Sequence, residues 1–175
     1  VEAYPQHTEN VVELFKYLTP LSLDVLAYVV VERLGSARDK LKEDGQNIAG
    51  WLQCLATFIG HVWRRYSGVD MHGLLAYILT RLRADECLDL VVLQELLARV
   101  CNVEWQEELS GDALDKLAGG RTLRSTAVVV TQGMQRGINT VARAMGAMRA
   151  ALVTADGEDL AVPLLALIGH QRHCK

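Results

Sequence analysis

The side chains best suited to chemistry in this sequence are four cysteines and five histidines, which can ligate a metal. The cysteines stand at positions 54, 87, 101 and 174, and no CxxC pair occurs. His170 and His173 lie three residues apart beside Cys174, so one helical turn holds three potential ligands. Because no second cluster completes a closed site, we expect no metal centre, and we expect reduced cysteines that pack as small apolar side chains.

Carboxylates and glycines offer two further kinds of chemistry. Four carboxylates crowd around Trp105: Glu104, Glu107, Glu108 and Asp112. A desolvated pair among them could act as acid and base, but a polar helix junction usually holds solvated carboxylates. The glycines within 119–120 and 133–137 match neither GxxxxGK[ST] nor GxGxxG, and no GxSxG motif occurs. We therefore expect no catalysis and no cofactor.

Charge is distributed unevenly along the chain. Residues 84–118 contain nine acids and two bases, whereas residues 119–155 contain five arginines and no acid. Four arginines are our candidate contacts to RNA or to a protein partner: Arg121, Arg124, Arg136 and Arg143. Arg136 and Arg143 are seven residues apart and share a helix face, but no aromatic residues alternate with them to stack bases. The two stretches either pack together or lie in solvent, or they face different partners.

Two tryptophans bear on the search for a binding surface. Trp51 falls on the apolar stripe of a predicted helix, and we expect it in the core. Trp63 falls at the edge of the same stripe, and we expect it to be partly exposed. Because large aromatic side chains at a stripe edge often anchor interfaces, Trp63 is our candidate partner-facing aromatic residue.

Composition indicates an ordinary folded protein. The chain has 175 residues, of which 50% are hydrophobic and 22% charged, and its net charge of −3 argues against a strongly basic nucleic-acid-binding domain. No uncharged apolar run approaches 18 residues, so we expect no transmembrane helix. The start lacks both Met and a signal peptide. We interpret residues 1–175 as a single segment of a longer chain.

Apolar residues recur at spacings of three and four, which predicts helices throughout. The expected helices cover 7–18, 22–34, 48–66, Asp70 to Arg83, 87–101, 111–118, 133–153 and 160–172. Ser22, Asn47 and Asp70 are predicted N-caps. The expected loops are 35–47, with a short helical turn, and 119–132, whose β-branched run Thr126–Thr131 we expect to be helical or irregular. These short connections without βαβ alternation predict an all-α fold of stacked antiparallel helix hairpins, a HEAT- or MIF4G-like α-solenoid.

Five collinear blocks carry a resemblance to a known family. They are YLTPLSLDVLAYVVVERL (17–34), DGQNIAGWLQCLATFIGHVWRRY (44–66), the segment 73–104, LDKLAGG (114–120) and DLAVPLLALIGHQRH (159–173). In order and spacing they resemble the THO complex subunit 2 family, over about three-quarters of the chain. The stretch 125–149 departs most from the family, because it is rich in Ala, Gly and Met.

The resemblance implies a function in messenger RNA export. Members of this family are large helical scaffolds of the nuclear THO complex, which works with a DEAD-box RNA helicase on nascent messenger ribonucleoprotein. The implied partners are other THO subunits and that helicase, with mRNA contacted indirectly and with no membrane or small-molecule ligand. Two alternatives stay open, namely a MIF4G-like adaptor in another RNA pathway such as translation, and an RNA-binding module that uses the basic stretch 119–155.

Overall fold

The computed structural model describes residue 2 and residues 4–101, 134–153 and 159–173. Within these ranges it holds seven α-helices and no strand: α1 (Thr8–Leu14), α2 (Pro20–Leu34), α3 (Gly50–Arg65), α4 (His72–Arg83), α5 (Leu90–Cys101), α6 (Met134–Leu152) and α7 (Ala161–His173). The predicted all-α fold is confirmed, while the stacking of hairpins into a solenoid stays a prediction. None of these helices is both long and apolar enough to cross a membrane. The predicted helix 111–118 and the predicted loop 119–132, including Thr126–Thr131, lie outside the described residues.

The first predicted helix is interrupted at both ends. In place of one helix over 7–18, the short helix α1 (Thr8–Leu14) lies between single turns of 3-10 helix at Pro5–His7 and Phe15–Tyr17. The chain then extends through Leu18 and Thr19, as the residue before a proline favours. The N-cap of α2 is Thr19, whose Oγ1 accepts a hydrogen bond from the Ser22 backbone N–H at 3.3 Å. Our prediction of Ser22 as the cap is wrong, because Pro20 fits the first helical position.

The central helix α3 follows the predicted apolar stripe but begins later than predicted. Asn47 does not cap it, because its side chain donates instead to Asp44 Oδ2 at 2.6 Å within the preceding loop. That loop forms no helical turn. It folds back on itself through an isolated bridge between Leu41 and Ile48, with Gly45 at a φ of +67° in the bend.

The core forms where α3 crosses α5, which is the most extensive helix contact in the described residues. Buried residues of α3 and α5 lie in one continuous apolar cluster: Leu52, Leu55, Ala56, Ile59, Val62, Val92, Leu93, Leu96 and Val100. Gly60 lies at the closest approach, where an added Cβ would stand 3.0 Å from the Glu95 carbonyl oxygen and 2.7 Å from Arg99 Cγ. The absence of a side chain at Gly60 therefore lets the two helices approach this closely.

The remaining helices complete the packing around this crossing. Helix α4 packs against α2, α6 and α7, while α6 also contacts α3 and α5. Our prediction of Asp70 as the N-cap of α4 is wrong by one residue, because Met71 holds that position without a side-chain cap, while Asp70 Oδ1 accepts the His72 backbone N–H at 2.9 Å just before the helix. Helix α6 buries Ala144, Met148 and Ala151. The described helices therefore share one apolar core.

Candidate protein-docking surface

The predicted aromatic contact lies inside the protein. Trp63 has no exposed surface, and its Nε1 donates to the Asp70 carbonyl oxygen at 3.3 Å. Our expectation of partial exposure is wrong, because α2 and the start of α4 cover the flank of α3 that carries Trp63. Trp51, which we expected in the core, is only half-buried. Its Nε1 donates to the Asp39 carbonyl oxygen at 2.9 Å, and the Arg38 guanidinium lies 4.5 Å above its ring.

The four candidate arginines are not brought together by the described structure. Arg143 lies exposed on α6. Arg136 lies in the first turn of the same helix, but its side chain is not among those described, and Arg121 and Arg124 lie outside the described residues. The proposed basic contact therefore stays a prediction.

The described residues contain no group of three or more His, Cys, Asp or Glu side chains placed to hold a metal. Cys54 and Cys87 are half-buried free thiols. Cys174 lies outside the described residues, and the side chain of His173 is not among those described, so the predicted ligand turn is untested.

A buried polar cluster fixes the loop between α2 and α3. Lys40 Nζ donates to both carboxylate oxygens of Asp89, at 2.7 and 2.9 Å, and to the Tyr77 hydroxyl oxygen at 3.2 Å. Asp89 is only 1% exposed, and the Nε of Arg81 lies 3.4 Å from its Oδ2. Burial, the largest influence, raises the pKa of Tyr77. Because the charges of Lys40 and Asp89 are paired and hydrogen-bonded, the cluster suits a structural role that holds the loop in place.

An acid near the N-terminus holds the same loop from outside. Glu2 accepts hydrogen bonds from Arg33 at 3.0 and 3.3 Å and from Arg38 at 2.8 Å. The hydrogen bond from Arg33 is the largest influence that lowers the pKa of Glu2. Such exposed pairs contribute little stability individually, but together they orient Arg38 over Trp51.

The strongest candidate for function is an exposed apolar face on α2, which our sequence analysis missed. Leu21, Val25, Tyr28 and Val29 recur at helical spacing and are 72%, 54%, 70% and 46% exposed. We call these four side chains the α2 stripe. Monomeric proteins rarely leave contiguous apolar patches of this kind in water unless something binds there. The sequence carried a signal, since the apolar residues of 20–34 are spread around the helix and not confined to one stripe, so some of them remain outside the core.

A groove of about 300 Å³ runs beside the α2 stripe, between α2 and α4. Its lining consists of Asp24, Ala27, Tyr28, Val31, Trp63, Asp70, Gly73 and Leu74. We call it the α2–α4 groove. The lining contains two carboxylates and no lysine or arginine, so the groove is acidic at its polar positions. An apolar stripe beside an acidic groove can bind a helix, and it offers no nucleophile or acid–base pair for a reaction.

Comparison with known proteins places this arrangement in context. A family model described as "Transcription- and export-related complex subunit" matches residues 1–56. The THO complex subunit 2 of Arabidopsis thaliana is 43% identical over 173 residues, which are 98% of this chain and 9% of the Arabidopsis protein. The Homo sapiens protein of the same name is 33% identical over 174 residues, which are 99% of this chain and 10% of the human protein.

The similarity extends to yeast. The THO complex subunit 2 of Saccharomyces cerevisiae is 30% identical over 127 residues, which are 73% of this chain and 8% of the yeast protein. The chain therefore spans no more than about a tenth of the length of these relatives. The similarity to the plant and human proteins covers nearly all of its residues, so it includes both α2 and the α2–α4 groove.

Proposed function

The chain belongs to the THO complex subunit 2 family, and from this membership we propose that it is a non-enzymatic scaffold segment of the nuclear THO complex. It acts in transcription-coupled mRNA processing and nuclear mRNA export. It holds other THO subunits and the DEAD-box export helicase in fixed relative positions, and it contacts mRNA through those partners.

The exposed α2 stripe is the observation that carries this proposal. A side chain as exposed as Leu21 or Tyr28 loses an apolar contribution of about 1.5–3 kcal/mol that full burial would give. A partner that covers the stripe recovers this contribution for four side chains at once. Docking of other proteins therefore accounts for a face that the core of this chain leaves in water.

The mechanism is positional. The crossing of α3 and α5 and the Lys40–Asp89 pair fix the helices and the loop relative to one another. A face on such a framework is already ordered before a partner arrives, so association costs less conformational entropy. The segment thus contributes geometry and affinity, and no chemical step passes through it.

Purification of the tagged full-length subunit from nuclei, followed by cross-linking mass spectrometry, tests the proposal. We expect the other THO subunits and the helicase, with cross-links to described residues of this segment. The variant Leu21→Asp/Val25→Asp places charges in the α2 stripe and should reduce their recovery at least tenfold. Gln53→Asp is the matched control, because Gln53 is an exposed polar residue on α3. Recovery of translation factors alone would contradict the proposal and support the cytoplasmic adaptor.

Direct RNA contact is a second candidate, favoured by five arginines and no acid in residues 119–155. It predicts that binding weakens as salt is raised and that Arg136→Glu/Arg143→Glu abolishes it. RNA affinity of the full-length subunit, measured across a salt series, checks this prediction. Unchanged affinity in that variant would exclude a contribution from this helix face.

A further inference from the structure

We propose that the α2–α4 groove receives one lysine or arginine side chain from an amphipathic helix of another subunit, whose apolar side packs along the α2 stripe. This inference rests on the proposed scaffold function, and it specifies the chemistry of the partner at one surface.

The spacing of the α2 stripe argues for a helical partner. Leu21, Val25 and Tyr28 follow one another at intervals of four and three residues, and Val29 widens the stripe. A helix that docks in such a place packs its own apolar residues at i, i+3, i+4 and i+7 against the exposed side chains. The stripe spans about two turns, or roughly 12 Å, which matches the contact length of a short helix.

The charges beside the stripe select a basic partner. Asp24 forms no ion pair or hydrogen bond within the described part of the chain, and Asp70 uses Oδ1 to accept from His72. Glu32 is the second exposed carboxylate on α2, after Asp24, whereas Arg33, the one base on that helix, is paired with Glu2. The field at this face therefore attracts a cation and repels phosphate groups of nucleic acids and lipids.

The same charges disfavour a second copy of this chain as the occupant. A symmetric contact would press α2 against α2 of the other copy, because two-fold interfaces use one patch twice. Such a contact would bring Asp24 and Glu32 of one copy close to the same carboxylates of the other. Like charges at that distance oppose association, and no unpaired base on α2 offsets them.

The shape of the groove fits a long cationic side chain. The groove is open to solvent and has a volume of about 300 Å³. Ala27 and Val31 are half-buried and provide apolar contact for the methylene stem of a lysine or arginine, while Trp63 and Leu74 are themselves buried. Asp24 and Asp70 belong to the same lining and are both exposed, so the charged head can reach two acidic residues, and the exposed side chain of Tyr28 adds a cation–π partner.

Site-specific photo-cross-linking in the assembled complex tests this inference. The full-length subunit carries p-benzoylphenylalanine in place of Tyr28, and mass spectrometry maps the residue that it captures. We expect one site, on another subunit, in a helical segment with apolar residues at helical spacing and a lysine or arginine beside them. Capture within the same polypeptide, by a second copy, or by nucleic acid would overturn the inference.

Two variants separate charge from shape. Asp24→Arg reverses the charge and should lower the cross-link yield at least tenfold, while Glu43→Arg, on an exposed loop carboxylate outside this groove, should leave it unchanged. Gly73→Leu should fill the groove and lower the cross-link yield, and the helix can accept it because a Cβ at Gly73 meets no atom within 4 Å. Gly50→Leu, equally unobstructed at the start of α3, is its control.

Reversal of the charge on the partner completes the test. Replacing the captured lysine or arginine by Glu should restore the cross-link yield of the Asp24→Arg variant. Unchanged cross-link yields in both Asp24→Arg and Gly73→Leu would overturn the inference. The subunit composition of the same preparation tests the proposed function separately. If the other THO subunits are recovered but Tyr28 captures none of them, only the groove assignment fails, whereas their absence from the wild-type preparation refutes the scaffold itself.

Discussion

Replacement of Gly60 by alanine tests the close crossing of α3 and α5. An added Cβ would lie 2.7 Å from Arg99 Cγ, 3.1 Å from Arg99 Cβ and 3.0 Å from the Glu95 carbonyl oxygen. The Arg99 side chain can rotate only from Cβ outward, and the Glu95 carbonyl belongs to the backbone of α5. The two helices must therefore move apart by a few tenths of an ångström to admit the methyl group.

Two opposing effects set the size of the change in stability. Forcing an extra methyl group into a packed crossing costs about 1–3 kcal/mol. Alanine in place of a helical glycine stabilises by about 1 kcal/mol, because the unfolded chain loses conformational freedom. Since the contact at Gly60 involves the backbone, the packing cost should exceed the helical gain, and Gly60→Ala should destabilise by about 1 kcal/mol.

Gly146 provides a matched control. It lies exposed within α6, and a Cβ there would meet no atom within 4 Å. Gly146→Ala should therefore show the helical gain alone, about 0.5–1 kcal/mol. The two variants should differ by about 2 kcal/mol, or roughly 4–8 °C in Tm for a chain of this length.

Unfolding followed by far-UV circular dichroism, in both heat and urea, measures this difference. Equal urea m-values for the two variants would show that the midpoints report stability and not a changed unfolded state. If Gly60→Ala stabilises the chain as much as Gly146→Ala does, then α5 does not lie as close to α3 as described, and the reasoning is refuted.

Three further predictions concern buried and titrating groups. Lys40→Met removes the nearest cation from the buried Asp89 carboxylate and leaves it only the longer contact with Arg81, so it should destabilise by about 3 kcal/mol in urea unfolding, with Lys40→Met/Asp89→Leu less affected; equal losses would contradict the paired-charge account. Burial is the main cause that lowers the pKa of His61, so the unfolded state binds the proton more tightly. Stability should fall as pH drops below about 6.5, and His61→Gln should remove that part of the dependence in urea titrations at several pH values. The backbone N–H of Asn47 is the largest influence that holds the pKa of Asp44 at about 2, and its side-chain amide adds to it. An NMR titration of Asp44 should show this value in the wild type and a higher one in Asn47→Ala.

Local sequence patterns determined the secondary structure of this protein. The apolar stripe of α3, the hydrogen bond from His72 to Asp70 and the turn chemistry between Lys42 and Asn47 act over a few residues. Local chemistry therefore sufficed to predict the all-α class and the positions of most described helices. The two cap errors have different origins: Thr19 caps α2 in place of Ser22, whereas Asn47 is held by Asp44 and α3 begins after Ala49 with no side-chain cap.

The sequence also identified the family, because five blocks in order resemble a single group of proteins. Family membership, however, does not say which surface binds. The residues around Trp63 do not indicate whether its side chain is buried or exposed, because that depends on whether α2 packs beside it.

Only the tertiary structure decided burial and proximity. Lys40 meets Asp89 across 49 residues of sequence, and Gly60 meets Glu95 and Arg99 of α5, which lie 35 and 39 residues further along the chain. Such contacts depend on which helices become neighbours, a choice made by the whole core and not by any local pattern. The same choice left the α2 stripe exposed and formed the acidic groove beside it, because α4 covers only one side of a helix whose apolar residues are spread around it.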